Sequence, residues 1–358
     1  MAMPVAAPAA GQATSPASTV WIRAWLFSVA ALVFAMVIVG GATRLTDSGL
    51  SITEWQPIIG IVPPLSEAGW QDAFAKYKAT PEYERMNQGM TLDAFKVIYW
   101  WEWAHRALGR LIGLVFALPF LWFWVRERLP HGLTPKLLGV LALGGLQGFI
   151  GWYMVQSGLV DRVDVSPYRL SLHLSMATVI FGLLLWLALG LSDRSRHGRL
   201  KSVTQNQQYL ALVLLALLLV QIALGGFFAG TKAGLTYNTW PLMDGQLIPG
   251  GLAALEPWYV NFFENVTTVQ FTHRTVAYLL VAFVLWHAWF LARTAGDERL
   301  VLSAALLAAA VVGQAALGIW MLITAQGAIP IGLGLAHQGG AVVVFATAVW
   351  HQHRLVRG

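Results

Sequence analysis

The 358-residue sequence contains no cysteine, so disulfide bonds, thiolate ligands and cysteine nucleophiles are excluded. It is also poor in charge, because Asp, Glu, Lys and Arg make up only 11% of its residues. Hydrophobic residues make up 57%, and 17 residues are tryptophan. This composition excludes an ordinary soluble domain and predicts an integral membrane protein. Any metal bound by the chain must be held by histidine, carboxylate or methionine side chains.

The first 20 residues lack lysine and arginine, which mark the start of a secretory signal and recur through a mitochondrial presequence. We interpret residues 1–20 as a disordered cytoplasmic tail. Downstream, hydropathy in windows of about 19 residues predicts eight transmembrane helices and an all-α fold. The predicted spans are residues 22–42, 107–125, 136–156, 171–191, 208–229, 273–292, 301–323 and 332–350.

Basic residues are concentrated in alternate short loops, which predicts that both termini lie in the cytoplasm. These residues are Arg126, Arg128 and Lys136 in one loop, Arg194, Arg196, Arg199 and Lys201 in another, and Arg293 and Arg299 in a third. The formal net charge of +6 then indicates a cytoplasmic face that contacts anionic membrane lipid. Binding to nucleic acid is not expected.

The sequence repeats itself, because SGLSITEWQPIIG at 48–60 aligns with AGLTYNTWPLMDG at 233–245, and QGFIG at 147–151 aligns with QAALG at 314–318. This pattern predicts two tandem four-helix bundles related by a parallel repeat. The predicted N-terminal half covers 21–192 with a long outer loop at 43–104, and the C-terminal half covers 208–358 after a cytoplasmic linker at 193–207. The first outer loop is longer than its counterpart in the second half, and we interpret the inserted segment around 66–95 as a lid.

Four of the nine histidines are predicted near the outer ends of the even-numbered helices. They are His105, His173, His273 and His337. Polar side chains inside membrane spans usually face the bundle interior, and opposed imidazoles in a four-helix bundle are typical of b-type haem ligation. We therefore predict two haem sites, one in each half. For His131, His197, His351 and His353 we expect solvated surface positions, and for His287 a packing or hydrogen-bonding role.

Four arginines lie beside these histidines or at neighbouring helix ends: Arg44, Arg106, Arg169 and Arg274. Guanidinium groups pair well with carboxylates, so these are candidate contacts to haem propionates, although snorkelling to the membrane interface explains each one equally well. Glu102 distinguishes the two halves, because its counterpart in the repeat is Gln270. If the helix extends through residue 102, Glu102 lies on the same face as His105. We expect it to act as a general base or as an electrostatic partner, and the alternative is a salt bridge to Arg106 or Arg110.

Three stretches, GGATRLTDSGLSITEWQPIIGIVPP at 40–64, FKVIYWWEWAHRALGRLIG at 95–113 and FTHRTVAY at 271–278, resemble the haem A synthase family of bacteria and mitochondria. The resemblance implies a membrane oxidoreductase that oxidises the C8 methyl group of haem O to the formyl group of haem A, for cytochrome oxidase. It also implies that His273 and His337 ligate a permanent haem b. By the same analogy, His105 and His173 flank the substrate haem, and Glu102 is essential for turnover.

The missing cysteines make the chain similar to the cysteine-free type of proteobacteria and mitochondria, and we expect a bacterial inner membrane protein with haem sites on the periplasmic side. Expected partners are haem O, membrane lipid, a haem O synthase, cytochrome oxidase assembly factors and an unidentified electron acceptor. Two other functions stay open. A dihaem electron-transfer cytochrome needs the same histidines but is expected to stack its haems across both leaflets. A haem carrier or exporter needs no reactive carboxylate.

Overall fold

The computed structural model describes residues 16–56, 59–160, 162–191 and 203–357, which form an all-helical protein. Eight of the helices are long and apolar enough to span a membrane, as the sequence predicts. The other three, α2, α3 and α8, are short. In chain order the helices are α1 (Pro16–Leu45), α2 (Glu67–Lys78), α3 (Pro81–Arg85), α4 (Leu92–Val125), α5 (Thr134–Leu159), α6 (Pro167–Gly190), α7 (Gln205–Gly230), α8 (Asn261–Glu264), α9 (Val266–Thr294), α10 (Glu298–Thr324) and α11 (Ile331–Arg357).

Several helices begin earlier than predicted, because their ends are set by capping residues that hydropathy does not register. Helix α1 begins at Pro16, so residues 16–20 are helical and the prediction of a tail was wrong there. The rest of that tail, residues 1–15, lies outside the described residues. Helix α7 begins at Gln205, where Thr204 and Gln207 form a reciprocal capping box, so the predicted linker ends sooner. Residues 193–202 of that linker also lie outside the described part of the chain.

The largest difference from the prediction is the start of α4, which lies at Leu92 rather than near residue 107. The Thr91 side chain caps this helix by accepting a hydrogen bond from the backbone nitrogen of Ala94. Because α4 continues outward from the predicted span, Glu102 and His105 lie well inside a helix. The predicted outer loop at 43–104 is therefore shortened to the residues between α1 and α4.

The outer segment packs on this extension of α4 through its own small aromatic core. The core consists of Phe74 and Tyr77 from α2 with Phe95 and Tyr99 from α4. Its rings are in contact, with the centroids of Phe74 and Phe95 at 5.0 Å. Helix α3 also contacts α5. Residues 66–95 thus form a packed layer over the N-terminal half.

The long helices form two groups of four, α1, α4, α5 and α6 in the N-terminal half and α7, α9, α10 and α11 in the C-terminal half. Helices α1 and α5 each pack against both α4 and α6, so α4 and α6 lie diagonally across the first group. Helices α7 and α10 likewise each pack against both α9 and α11. The four candidate histidines are therefore on the diagonal pair of each group.

The two halves are joined most closely where α6 crosses α7. A Cβ atom on Gly226 would lie 2.6 Å from the Cα of Ser171, and one on Gly230 would lie 2.7 Å from the Cα of Pro167. Glycine permits this close backbone approach, as is typical of membrane helix pairs. Gly144, Gly145, Gly148 and Gly313 take no part in close packing of this kind, because a Cβ on any of them would meet no atom within 4 Å.

Candidate functional site

Each of the four candidate histidines packs its ring against a glycine of an adjacent helix. A Cβ atom built on Gly40 would lie 3.0 Å from His105, and one on Gly151 would lie 3.0 Å from His173. The corresponding distances are 3.5 Å from Gly225 to His273 and 2.7 Å from Gly318 to His337. Three of the rings therefore lie where a Cβ on the facing glycine would press on them, whereas a Cβ on Gly225 would make only an ordinary contact with His273.

The rings belong to two pairs. His105 and His173 lie on the diagonal helices α4 and α6, and His273 and His337 lie on the diagonal helices α9 and α11. Within the described residues, no group of three or more His, Asp and Glu side chains is arranged to hold a metal ion. Two imidazoles on diagonal helices fit a planar cofactor ligated from both faces, and the glycine recesses leave room for the ligating rings.

A glutamine side chain contacts the ring of three of the four histidines, and these glutamines were not predicted as part of the site. The Nε2 atoms of Gln147, Gln221 and Gln314 lie 3.1, 3.2 and 3.1 Å from the Nδ1 atoms of His173, His273 and His337. Each amide also donates to the backbone oxygen of the same histidine. The signal in the sequence is a glutamine four residues before the glycine, in QGFIG, QIALG and QAALG.

Glu102 is buried, with 2% of its surface exposed, and both of its carboxylate oxygens accept hydrogen bonds. Oε2 accepts from the Ser51 hydroxyl and from the backbone nitrogen of Ile52, each at 2.8 Å. Oε1 accepts from Nε and Nη2 of Arg106, at 3.1 and 2.6 Å. The salt bridge to Arg106 that the sequence raised as an alternative is therefore present, and it lies within α4. The hydrogen bonds from Ser51 and Ile52 to Glu102 tie α4 to the loop after α1.

Arg106 also binds the carbonyl groups of this loop, and Arg274 makes the equivalent contacts in the C-terminal half. Nη2 and Nη1 of Arg106 donate to the carbonyls of Ile52 and Glu54. Nη2 and Nη1 of Arg274 donate to the carbonyls of Tyr237 and Thr239, which are the same two positions shifted by 185 residues. Both arginines thus fix the loop that precedes each histidine-bearing helix.

The second half lacks the ion pair of the first. At the position of Glu102, the Gln270 amide donates to the carbonyl of Tyr237 at 2.8 Å. Its Oε1 and the Nε of Arg274 are buried without a hydrogen-bond partner among the described residues. The two halves therefore share the same loop anchor, but only the first half has a buried carboxyl group at this position.

The other two candidate arginines bind backbone carbonyls at helix ends. Nη2 of Arg44 donates to the carbonyl of Ala229 on α7, across the boundary between the halves. Nη1 of Arg169 donates to the carbonyl of Tyr153 at 2.5 Å, and its guanidinium lies over the Tyr153 ring. Their predicted contact with propionates stays a prediction.

A buried acid in the outer segment, Glu82, was not identified from the sequence. It is 5% exposed on α3 and forms a hydrogen bond with Tyr77. Burial raises the pKa of Glu82 to about 8, and the nearby charge of Glu102 adds to this effect. Burial likewise raises the pKa of Tyr77. The outer segment thus places a second carboxyl group near the first-half site.

The remaining histidines differ in part from expectation. His287 makes the expected hydrogen bond to a neighbour, with its Nε2 3.0 Å from Nε2 of His351. His351 and His353 are buried, so the prediction that they are solvated was wrong, and helix packing around α11 is the reason. His131 is exposed as predicted. His197 lies outside the described residues.

The first group of helices is more open than the second. Helices α4 and α5 pack together much less closely than their counterparts α9 and α10. A Cβ on Gly113 or Gly144 would meet no atom within 4 Å, whereas the repeat positions are Val281 and Val311, which pack in the core. Exposed glycines of α4 and α5 thus stand at two positions where the second half has valines that pack in its core.

Comparison with known proteins gives consistent matches along nearly the whole chain. The family model described as "Cytochrome oxidase assembly protein" (COX15-CtaA) matches residues 23–349. The haem A synthase of Parvibaculum lavamentivorans is 53% identical over 333 residues, which cover 93% of this chain and 94% of that protein. The haem A synthase of Chelativorans sp. is 53% identical over 336 residues, covering 93% and 91%. That of Nitrosospira multiformis is 48% identical over 338 residues, covering 94% of each chain.

Proposed function

Because the chain belongs to the COX15-CtaA family of cytochrome oxidase assembly proteins, we propose that it is a haem A synthase, a membrane oxidoreductase that converts haem O to haem A. The observation that carries this proposal is an identity of about one half to haem A synthases over more than nine-tenths of the chain. The reaction oxidises the C8 methyl group to a formyl group. Taken with one water, this releases four electrons and four protons, so an electron acceptor must take part.

The proposal assigns a resident haem b to His273 and His337 and the substrate haem O to His105 and His173. The donor set fits, because paired imidazoles on diagonal helices are the usual axial ligands of b-type haem. The glycine recess behind each ring supports the same assignment. When bound, haem b supplies one-electron redox chemistry beside the substrate site. Arg44 and Arg169, near the same helix ends, are proposed contacts to the propionates.

The openness of the N-terminal half supports its assignment as the substrate half. A resident cofactor needs a closed bundle, whereas a substrate that enters and leaves needs a path. The loose contact between α4 and α5 supplies such a path from the lipid. The closer packing of α9 against α10, with Val281 and Val311, suits a permanent site.

Glu102 is proposed to act through its negative charge. Both of its oxygens already accept hydrogen bonds from Ser51, Ile52 and Arg106, so taking up a proton would require one of these bonds to break. An electrostatic role therefore fits the geometry better than that of a general base. A fixed carboxylate in a buried site stabilises positive charge that develops during oxidation of the substrate ring.

The eight apolar helices make this a multi-pass membrane protein. We propose that it lies in a bacterial inner membrane with both termini in the cytoplasm and the haem sites toward the periplasm, since the basic loops lie at the opposite ends of the helices from the four histidines. A haem O synthase and cytochrome oxidase assembly factors are proposed partners. The tandem repeat is supported by the matched carbonyl contacts of Arg106 and Arg274.

The test is pigment analysis of the purified protein after co-expression with a source of haem O. Wild type is compared with Glu102→Gln, a change that mimics Gln270 and so preserves the shape of the site. The matched control is Glu54→Gln, an exposed acid of the same loop that pairs with Lys76. We expect haem A in wild type and the control, and retained haem b with haem O or a partly oxidised haem in Glu102→Gln.

Two outcomes would contradict the proposal. If wild type holds only unmodified haem b at two equivalents, the protein is an electron-transfer cytochrome. If Glu102→Gln makes as much haem A as the control, the charge of Glu102 has no part in the reaction.

A further inference from the structure

The loop that follows the first helix of each half is fastened to its neighbours differently in the two halves. In the C-terminal half, the Asn238 amide donates a hydrogen bond to the carbonyl of Leu322 on α10, with the nitrogen and oxygen 3.1 Å apart. The indole nitrogen of Trp240, in the same loop, donates to the Tyr278 hydroxyl on α9. Hydrogen bonds therefore hold this loop across the boundary between α9 and α10.

In the N-terminal half, the corresponding loop is hydrogen-bonded to α4 but not to α5. Three side chains of α4, those of Trp103, Arg106 and Arg110, donate to backbone carbonyls of the loop. The residue at the position of Asn238 is Thr53. Among the described residues of this loop, none forms a hydrogen bond with α5. The loop is thus anchored on one side of the boundary between α4 and α5.

Two apolar contacts join this loop to α5. Leu50 packs on Gly158, where a Cβ atom would lie 2.6 Å from the leucine Cδ1. The rings of Trp55 and Trp152, here called the tryptophan pair, meet across the boundary between α4 and α5, with their centroids 6.5 Å apart. Because separating the two rings breaks no hydrogen bond between the loop and α5, the pair can part while the loop stays on α4.

The tryptophan pair lies at the level of the two candidate ligands of the substrate haem. The guanidinium group of Arg106, which follows His105 in the chain, lies 5.8 Å from the centre of the Trp55 ring. On α5, the second tryptophan follows Gly151, and a Cβ on this glycine would lie 3.0 Å from the His173 ring. The pair therefore closes the side of the N-terminal bundle beside the candidate ligands.

The outer surface of the same loop is apolar. Ile59, Ile61, Val62 and Leu65 are all exposed, and so is Trp55. In a protein with eight membrane-spanning helices, an exposed apolar patch of this kind contacts lipid. The tryptophan pair thus has lipid on one side and the substrate site on the other.

We propose that Trp55 and Trp152 form the closing contact of a side entrance between α4 and α5, through which haem O reaches the substrate site from the bilayer. This inference rests on the proposed function, because it requires a haem that enters and leaves the N-terminal half. The isoprenoid chain of haem O is apolar, so entry from the side keeps this chain in lipid throughout. The C-terminal half has Ile319 at the position of Trp152 and a loop tied to both helices, which suits a haem that stays.

The test uses the absence of cysteine from the chain, because two introduced cysteines are then the only thiols that a reagent meets. In the double variant Trp55→Cys/Trp152→Cys, a short bis-methanethiosulfonate reagent bridges the loop to α5, and an added thiol cleaves the bridge. Mass spectrometry of the protein confirms the bridge. Purified protein that carries haem b is placed in lipid nanodiscs and mixed with haem O, and uptake is followed by the absorption change that accompanies histidine ligation.

We expect the bridged protein to lose haem O uptake and the cleaved protein to regain it. A bridge formed after loading should trap haem O against transfer to apomyoglobin. The matched control is Trp240→Cys/Tyr278→Cys, because its bridge joins the corresponding loop to α9 in the C-terminal half and should leave haem O uptake unchanged.

A single substitution separates a role in entry from a structural role. Trp152→Ile copies the residue of the second half and removes the ring contact, so it should speed both uptake and release of haem O and leave the amount bound at equilibrium unchanged. A merely structural role would lower the amount bound and leave the rate of uptake as in wild type. Haem b content shows that each variant is folded.

The proposal is overturned if the bridged protein takes up haem O as fast as the cleaved protein, because the entrance would then lie elsewhere. It is also overturned if Trp152→Ile changes the amount of haem O bound but neither rate. Failure of the proposed function looks different, since wild type and the cleaved protein would then take up no haem O at the N-terminal site.

Discussion

The glycine recesses allow a graded test of the haem sites, because the distance between glycine and ring differs from one histidine to the next. The sharpest comparison is Gly318→Ala against Gly225→Ala, which alter the two ligands proposed for haem b. A Cβ on Gly318 would lie 2.7 Å from Cε1 of His337, whereas a Cβ on Gly225 would lie 3.5 Å from Cε1 of His273. Only the first distance is shorter than an ordinary carbon contact.

The expected size of the effect follows from these distances. Ordinary carbon contacts begin near 3.5 Å, so the His337 ring would have to move by about 0.8 Å in Gly318→Ala. Overpacking of this kind costs about 1–3 kcal/mol, and every 1.4 kcal/mol changes an equilibrium constant tenfold. Haem b affinity should therefore fall by about fivefold to 150-fold. Gly225→Ala should leave affinity unchanged, and alanine stabilises a helix by about 0.5–1 kcal/mol over glycine.

The assay is transfer of haem from each purified variant to an excess of apomyoglobin, with the rate and extent read from the absorption spectrum. A free imidazole can turn away from a new methyl group, whereas a ring bound to iron cannot, so the loss should appear in haem retention and not in helix content. Circular dichroism checks that both variants are folded. Equal retention in the two variants, or greater loss from Gly225→Ala, would refute the reasoning.

Two further predictions concern stability. Glu82 has its pKa raised to about 8 in the folded chain from an ordinary value near 4.5, so the docking of the outer segment should be strongest below pH 4.5 and weaken as pH rises through about 8. Limited proteolysis should be faster at pH 9 than at pH 6 in wild type, but equally fast at the two pH values in Glu82→Gln. The same increase with pH in both proteins would contradict this prediction. His351→Leu removes the partner of the buried His287 Nε2, which should cost about 1–3 kcal/mol and lower the Tm with haem content unchanged. The exposed His131→Leu is its control, and an equal Tm for the two variants would count against the assigned contact.

Several features of the site could be predicted from the sequence because they depend on residue type and rough position. Histidines in apolar spans are costly and few, so His105, His173, His273 and His337 stand out without any knowledge of packing. The repeat at 48–60 and 233–245 also marks the loops that Arg106 and Arg274 bind. The glutamines were missed because a glutamine in a membrane helix has many possible partners. Their function depends on which face of the helix turns inward.

The boundaries and the burial of polar residues were predicted less well. Hydropathy identified the membrane part of α4 but not its outer extension, since residues 92–106 mix polar and aromatic side chains. The extension is helical because Phe95 and Tyr99 pack on α2, a contact between segments that no local window contains. His351 was expected at the surface because it lies at the cytoplasmic end of the last helix, yet it is buried against α9 and α10, where it contacts His287 and Ser303.

The sequence by itself determined the membrane class, the eight spans and the identity of the four candidate ligands. These follow from hydrophobicity and from the cost of placing polar groups in lipid. Only the tertiary structure decided which glycine packs against each histidine ring and which three of the rings a glutamine amide contacts. It also decided that Glu102 pairs with Arg106. The physical reason is that helices in a bilayer are apolar on every side, so their hydrophobic pattern does not specify which face turns inward. The inward face is selected by small residues that let two helices approach closely and by hydrogen bonds between helices. Both kinds of contact form only once the helices have packed.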